Sequence, residues 1–139
     1  HPDHTTANGH YAALFKAEVI APREDAASLP APPARTVADG EVLSFEGLTI
    51  RVLHTPGHSP GSACFLVGDR LFSGDTLFKG SIGKTGGEAP DKAAEEQRRL
   101  VRVIREKLLT LDGRTVVCPG HGQVTTVADE AASNPFFKK

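Results

Sequence analysis

The sequence has no methionine and no tryptophan, one tyrosine and two cysteines. Without methionine, His1 is not a translation start, so the chain is expected to be preceded by further polypeptide. Charge of one sign is also lacking: 16 Lys and Arg face 17 Asp and Glu, a formal net charge of -1. That balance gives no reason to expect nucleic acid or an anionic membrane as a partner. No apolar run approaches the length of a membrane span, and no secretory signal is visible. Glycines at 80, 83, 86 and 87 are scattered and include no Gly-x4-Gly-Lys, so they form no phosphate-cradling loop. Cys64 and Cys118 sit in apolar runs and read as buried free thiols behaving as small hydrophobes. A nucleophilic thiol would want an electropositive, partly exposed setting. Unpaired cysteines fit a cytoplasmic location.

What is present fits one domain: 139 residues, 39% hydrophobic and 24% charged. The first four residues read as a loop, followed by a helix over Ala7 to Ala17 with Leu14 and Phe15 inward. Val19 and Ile20 form a short strand, and the Pro- and Ala-rich stretch from Pro22 to Arg35 an irregular loop or shortened helix. Leu43, Phe45, Leu48, Ile50 and Val52 alternate around Glu46-Gly47, which predicts a hairpin with one face buried. A second hairpin joins Ala63 to Val67 and Arg70 to Phe72 across Gly68-Asp69. A helix runs from Pro90 to about Leu109, with Leu100, Val101, Ile104, Leu108 and Leu111 on one stripe and its charges on a solvated face. Val116 to Cys118 is a buried strand.

Against this background four short segments stand out: His1-Pro2-Asp3-His4, His58 in Thr55-Pro56-Gly57-His58, Asp75 in Ser73-Gly74-Asp75, and His121 in Pro119-Gly120-His121-Gly122. Each alone is weak, since a lone His is usually a surface or core residue and a lone Asp usually caps a turn. Together, at the ends of apolar strands, they supply the imidazoles and carboxylates that surround first-row metals, with ligands drawn from several loops. His10 and His54 read as surface or supporting residues rather than ligands.

These motifs resemble the metallo-β-lactamase fold superfamily, and within it the glyoxalase II-like hydrolases. The resemblance runs through Thr55-Pro56-Gly57-His58-Ser59-Pro60-Gly61, Leu71-Phe72-Ser73-Gly74-Asp75-Thr76-Leu77-Phe78 and the tail Asn134-Pro135-Phe136. It implies an α/β fold, the four-layer αβ/βα sandwich, with residues 1–139 forming a single domain that supplies roughly the C-terminal two-thirds. The first His of the motif would lie two residues before His1, so the N-terminal part is expected to be missing, with its strands. The resemblance further implies two divalent ions, zinc in the first place and iron or manganese as alternatives. His1 and His58 would serve the first ion, Asp3, His4 and His121 the second, and Asp75 would bridge them.

Such a pair, about 3.5–4 Å apart, makes a water nucleophile near neutral pH, so no serine or cysteine nucleophile is needed. Asp3 and Asp75 are the carboxylates assigned to catalysis. Lys84 stands where glyoxalase II-like enzymes place a basic residue near the substrate, and a cation there can hold a carboxylate or a developing oxyanion. A solvated loop lysine is the competing reading. The implied function is hydrolysis of a small-molecule thioester or ester-like substrate by a metal-bound hydroxide in the cytoplasm. Tyrosines the glyoxalase II family carries are absent, with Gly86 and Gln123 near their places. Lactone hydrolysis or another hydrolysis of the metallo-β-lactamase fold, single-iron persulfide dioxygenation, and a metal-poor, non-enzymatic fragment are the alternatives.

Overall fold

A computed structural model describes residues 2–86 and 90–138, with the side chains of Pro2, Asp3 and Pro90 outside that description. The chain opens on two helices, α1 (Pro2–Thr5) and α2 (Asn8–Phe15). Strand β1 (Ile20–Pro22) leads into a 3-10 turn over Arg23–Ser28, and β1 pairs in parallel with β2 (Arg35–Val37). The main sheet follows: β3 (Val42–Phe45), β4 (Leu48–His54), β5 (Ala63–Val67) and β6 (Arg70–Gly74). The small hairpin of β7 (Leu77–Phe78) and β8 (Ser81–Ile82) precedes helix α3 (Pro90–Val103). A π-helical turn over Ile104–Leu108 extends α3, its register marked by the Leu109 N–H donating to the Ile104 carbonyl at 3.0 Å. Strands β9 (Val116–Pro119) and β10 (Thr125–Thr126) and helix α4 (Val127–Ser133) complete the described order.

The main sheet has six strands in the order β10-β9-β6-β5-β4-β3. Its pairs are antiparallel except β6 with β9. That parallel pair needs a crossover, and α3 supplies it. The register puts Leu53 opposite Cys64, and Leu66 opposite Leu71 opposite Val117. Side chains alternate across a sheet, so these residues share one face. They form the core with Leu100, Ile104 and Leu108, the fully buried stripe of α3 and its π turn. Three residues per two turns of an otherwise charged helix suffice to hold it on the sheet, each buried apolar side chain contributing about 1.5–3 kcal/mol.

The opposite face carries Val52, Phe65, Phe72 and Cys118 in register. Val52 is buried, whereas Phe72 is 49% exposed. Here three expectations are corrected. The β3–β4 hairpin forms around Glu46-Gly47, but Phe45 and Leu48 at its tip are exposed rather than buried. Cys118 is half-buried, and only Val117 of its strand is fully enclosed. Helix α2 is shorter than Ala7 to Ala17, and Leu14 and Phe15 point outward, at 60% and 68% exposure. The physical reason is common to all three: an apolar pattern predicts burial only if another layer covers it, and no described element covers these positions. Residues 1–4, expected as a loop, form the turn of α1 where they are described.

Cys64 lies wholly inside the core, its thiol 3.7 Å from the Ser73 carbonyl and 3.5 Å from the Thr55 hydroxyl. Burial pushes its pKa from the ordinary 9.0 up to about 11, with the hydrogen bonds of Thr55 and Thr76 pulling the other way. The unfolded chain ionises first, so the thiol's contribution to stability is complete below about pH 9 and is lost between about 9 and 11. Thermal melts from pH 8 to pH 11 are expected to fall more steeply for the wild type than for Cys64→Ala. Parallel slopes would show that Cys64 titrates as it does in the unfolded chain.

Candidate metal centre

Four of the expected ligands reach the site on four different elements. His4 comes from α1, His58 from the loop after β4, Asp75 from the residue after β6, and His121 from the loop after β9. The β6–β9 pairing does the central work. Gly74 stands opposite Pro119 after a shift in register, and the Gly120 N–H donates to the Gly74 carbonyl at 2.8 Å. Asp75 and His121 therefore leave adjacent parallel strands at the same end of the sheet.

The Asp75 carboxylate is the centre. Its Oδ2 lies 3.3 Å from His4 Nε2 and 3.5 Å from His58 Nε2, and its Oδ1 lies 3.6 Å from His121 Nε2. Ligand atoms of His4, Asp75 and His121 all fall within 4.8 Å of one another. Donors held about 2.0–2.2 Å from a tetrahedral zinc stand about 3.3–3.6 Å apart. The spacing and the neutral-imidazole-plus-carboxylate chemistry thus fit a divalent ion. Asp75 is only 12% exposed at its side chain, which keeps its charge from being screened by solvent, while His121 is 58% exposed and forms the open side. The rings of His4 and His121 meet edge to face, 5.0 Å between centroids.

Close backbone approach makes this packing feasible. A Cβ on Gly120 would come within 2.6 Å of His4 Cε1 and 2.7 Å of Asp75 Oδ1. A Cβ on Gly83 would overlap the Asp75 carbonyl and sit 3.3 Å from His58 Cβ. His58 is oriented from behind: its Nδ1 stands 2.6 Å from the Lys84 carbonyl. A carbonyl only accepts, so Nδ1 donates to it, and Nε2 is the ring nitrogen turned toward the centre. This is how a ligating imidazole is usually fixed.

Lys84 itself therefore contributes its backbone, with an exposed side chain. His54 is a supporting residue, as expected: its Nε2 lies 2.8 Å from the Pro60 carbonyl, its N–H donates to Asp39, and its carbonyl accepts from Lys107. His10 is exposed on α2, its ring against Tyr11. The ligand positions expected of His1 and of the Asp3 side chain lie outside the described residues.

Two supports had no signal in the sequence. Asp25, in the stretch read as irregular, accepts from the Gly61 N–H at 2.9 Å and from the Ser59 hydroxyl, clamping the loop that carries His58. Beneath both loops, the buried hydroxyls of Thr55 and Thr76 bond at 2.9 Å, joining the segment before His58 to the residue after Asp75. A cleft of about 560 Å³ opens beside the centre, lined among others by His4, Asp25, Leu29, His58, Phe65 and Asp75.

The chain belongs to the Metallo-beta-lactamase superfamily: the family's profile matches residues 1–121. Among curated proteins the chain is similar to the hydroxyacylglutathione hydrolase GloC of Haemophilus influenzae, 39% identical over 101 residues, covering 71% of this chain and 45% of that protein. The chain spans about half the length of the curated relatives it matches. Among solved structures it is similar to the BLEG-1 B3 metallo-beta-lactamase, with a TM-score of 0.87 and 29% identity over 100% of this chain and 74% of that one. It is also similar to TTHA1623 in a di-iron-bound form, TM-score 0.73 and 34% identity, covering 98% of this chain and 73% of that one.

Gly120→Ala tests the crowding directly. The added methyl must push His4 or Asp75 aside, so metal affinity is expected to fall by about 10–100-fold, the range for disturbed ligand support, with the fold retained. Isothermal titration with zinc and circular dichroism on the same sample check it; unchanged affinity would mean that Gly120 does not border the ion.

Proposed function

We propose that the chain carries the metal-binding core of a hydrolase that cleaves a small-molecule thioester, in the manner of the glyoxalase II-like enzymes. The observation that carries the reading is the ring of three imidazole nitrogens 3.3–3.6 Å from one largely buried carboxylate, Asp75. The similarity to a hydroxyacylglutathione hydrolase supports the thioester. The cytoplasm is proposed as its location.

Two divalent ions held here would supply a Lewis acid for the substrate carbonyl and a water nucleophile near neutral pH. Zinc is proposed first. The likeness to a di-iron-bound structure makes iron the metal to test against it, ahead of manganese. In this reading Asp75 would serve both ions, His58 would work with His1 on the first, and His4 and His121 would work with Asp3 on the second. The Lys84 carbonyl accepts from His58 Nδ1 and so turns Nε2 toward the ions' place. The exposed Lys84 ammonium is proposed to attract an anionic part of the substrate. Phe65 and Leu29 give the adjoining cleft apolar wall, which limits competing water on that side.

Metal analysis of the purified protein, together with hydrolysis assays on thioesters, lactones and β-lactams, tests the proposal. Turnover is expected to be fastest on thioesters. Asp75→Ala removes a ligand that serves both ions, and is expected to cut the rate at least about a hundredfold and lower the metal content. An Asp75→Ala protein with full activity and full metal would sink the two-metal mechanism.

A further inference from the structure

Glu130 on α4 has no part in the chemistry above, yet it is 1% exposed. A carboxylate removed from water in this way is costly unless it is fully hydrogen-bonded. Here it is: Oε2 accepts from the Gly80 N–H at 2.9 Å and from Asn134 Nδ2 at 2.7 Å, and Oε1 accepts from the Thr125 hydroxyl at 2.7 Å. Asn134 also donates to the Ser81 carbonyl at 3.1 Å. Glu130 and Asn134 together pin the turn of the β7–β8 hairpin, residues 80 and 81, to α4.

The hairpin's exit is what supports the metal centre. Two residues after Ser81, the Gly83 N–H donates to the Thr76 carbonyl at 3.1 Å, with the Gly83 backbone packed against that of Asp75. One residue further on, the Lys84 carbonyl holds His58 Nδ1. A carbonyl misplaced by a few tenths of an ångström weakens a hydrogen bond and turns the imidazole it orients. We propose that Glu130 is a positioning residue for the metal centre: through Gly80 and, by way of Asn134, Ser81, it fixes where the Lys84 carbonyl stands, and so the direction in which His58 presents Nε2.

The role rests on the metal-centre reading and is distinguishable from mere stabilisation of α4. Glu130→Gln can keep all three bonds, with its amide oxygen toward Gly80 and Asn134 and its NH2 donating to Thr125. Glu130→Ala loses all three. Thr126→Ala removes the cap that accepts the Asp129 N–H at 3.1 Å, weakening α4 without touching the hairpin. The experiment measures cobalt(II) affinity and the cobalt d–d spectrum of the full protein, and, in the metal-free protein, the low-field proton resonance of His58 Nδ1–H.

Glu130→Ala is expected to weaken cobalt binding about 10–100-fold and to shift or broaden the Nδ1–H resonance. Glu130→Gln and Thr126→Ala are expected to match the wild type in both. Should Glu130→Ala fail to fold, Asn134→Ala, which frees the Ser81 carbonyl, is expected to show the same losses. Equal losses in Thr126→Ala, or wild-type affinity and resonance in the Glu130→Ala or Asn134→Ala protein, would overturn the proposal while leaving the metal centre standing. A wild-type protein that binds no cobalt would overturn both.

Discussion

The arrangement depends on one carboxylate. Asp75 leaves the end of β6 into a space shared by His4, His58 and His121, each with Nε2 within 3.6 Å of a carboxylate oxygen. A charge so little exposed to solvent needs compensation, and imidazoles with a divalent ion are the compensation that this donor set offers. Because the three histidines come from segments far apart in sequence, their meeting is a property of the sheet, above all of the parallel pairing of β6 with β9.

Around that carboxylate the loops are held by polar contacts more than by apolar packing. The loop bearing His58 is fixed on three sides: by Asp25 at Gly61 and Ser59, by His54 at Pro60, and by Lys84 at His58 itself. Asp39, which binds Lys107 and the His54 N–H, extends this support to the π turn after α3; burial opposes its ionisation, but those partners hold its carboxyl below the ordinary range. Hydrogen bonds are directional, so they set side-chain angles in a way apolar contact cannot, and a metal centre tolerates little angular error. Apolar packing is concentrated one layer away, between the sheet and the Leu100, Ile104 and Leu108 stripe, where it needs only to be dense.

Much of this was legible in the residues. The hairpin around Glu46-Gly47, the strands ending near Gly74 and Gly120, and the stripe of α3 follow from local periodicity and turn chemistry, which act over a few residues. Burial was less legible. Leu14, Phe15, Phe45 and Leu48 carry the pattern of core residues, yet they are exposed, because periodicity reports which face is apolar and not whether another layer lies over it.

The sequence by itself determined the chemistry on offer: His4, His58, Asp75 and His121 at strand ends, with glycines beside three of them, because residue type and short spacing set donor chemistry and backbone freedom. Only the tertiary structure decided that these donors converge, and that Asp25, Lys84 and Glu130 serve them through a carboxylate clamp, a backbone carbonyl and a pinned turn. Those contacts join residues 26 to 50 positions apart. Such pairings carry no local signature, since their energy exists only once the sheet has brought the partners together.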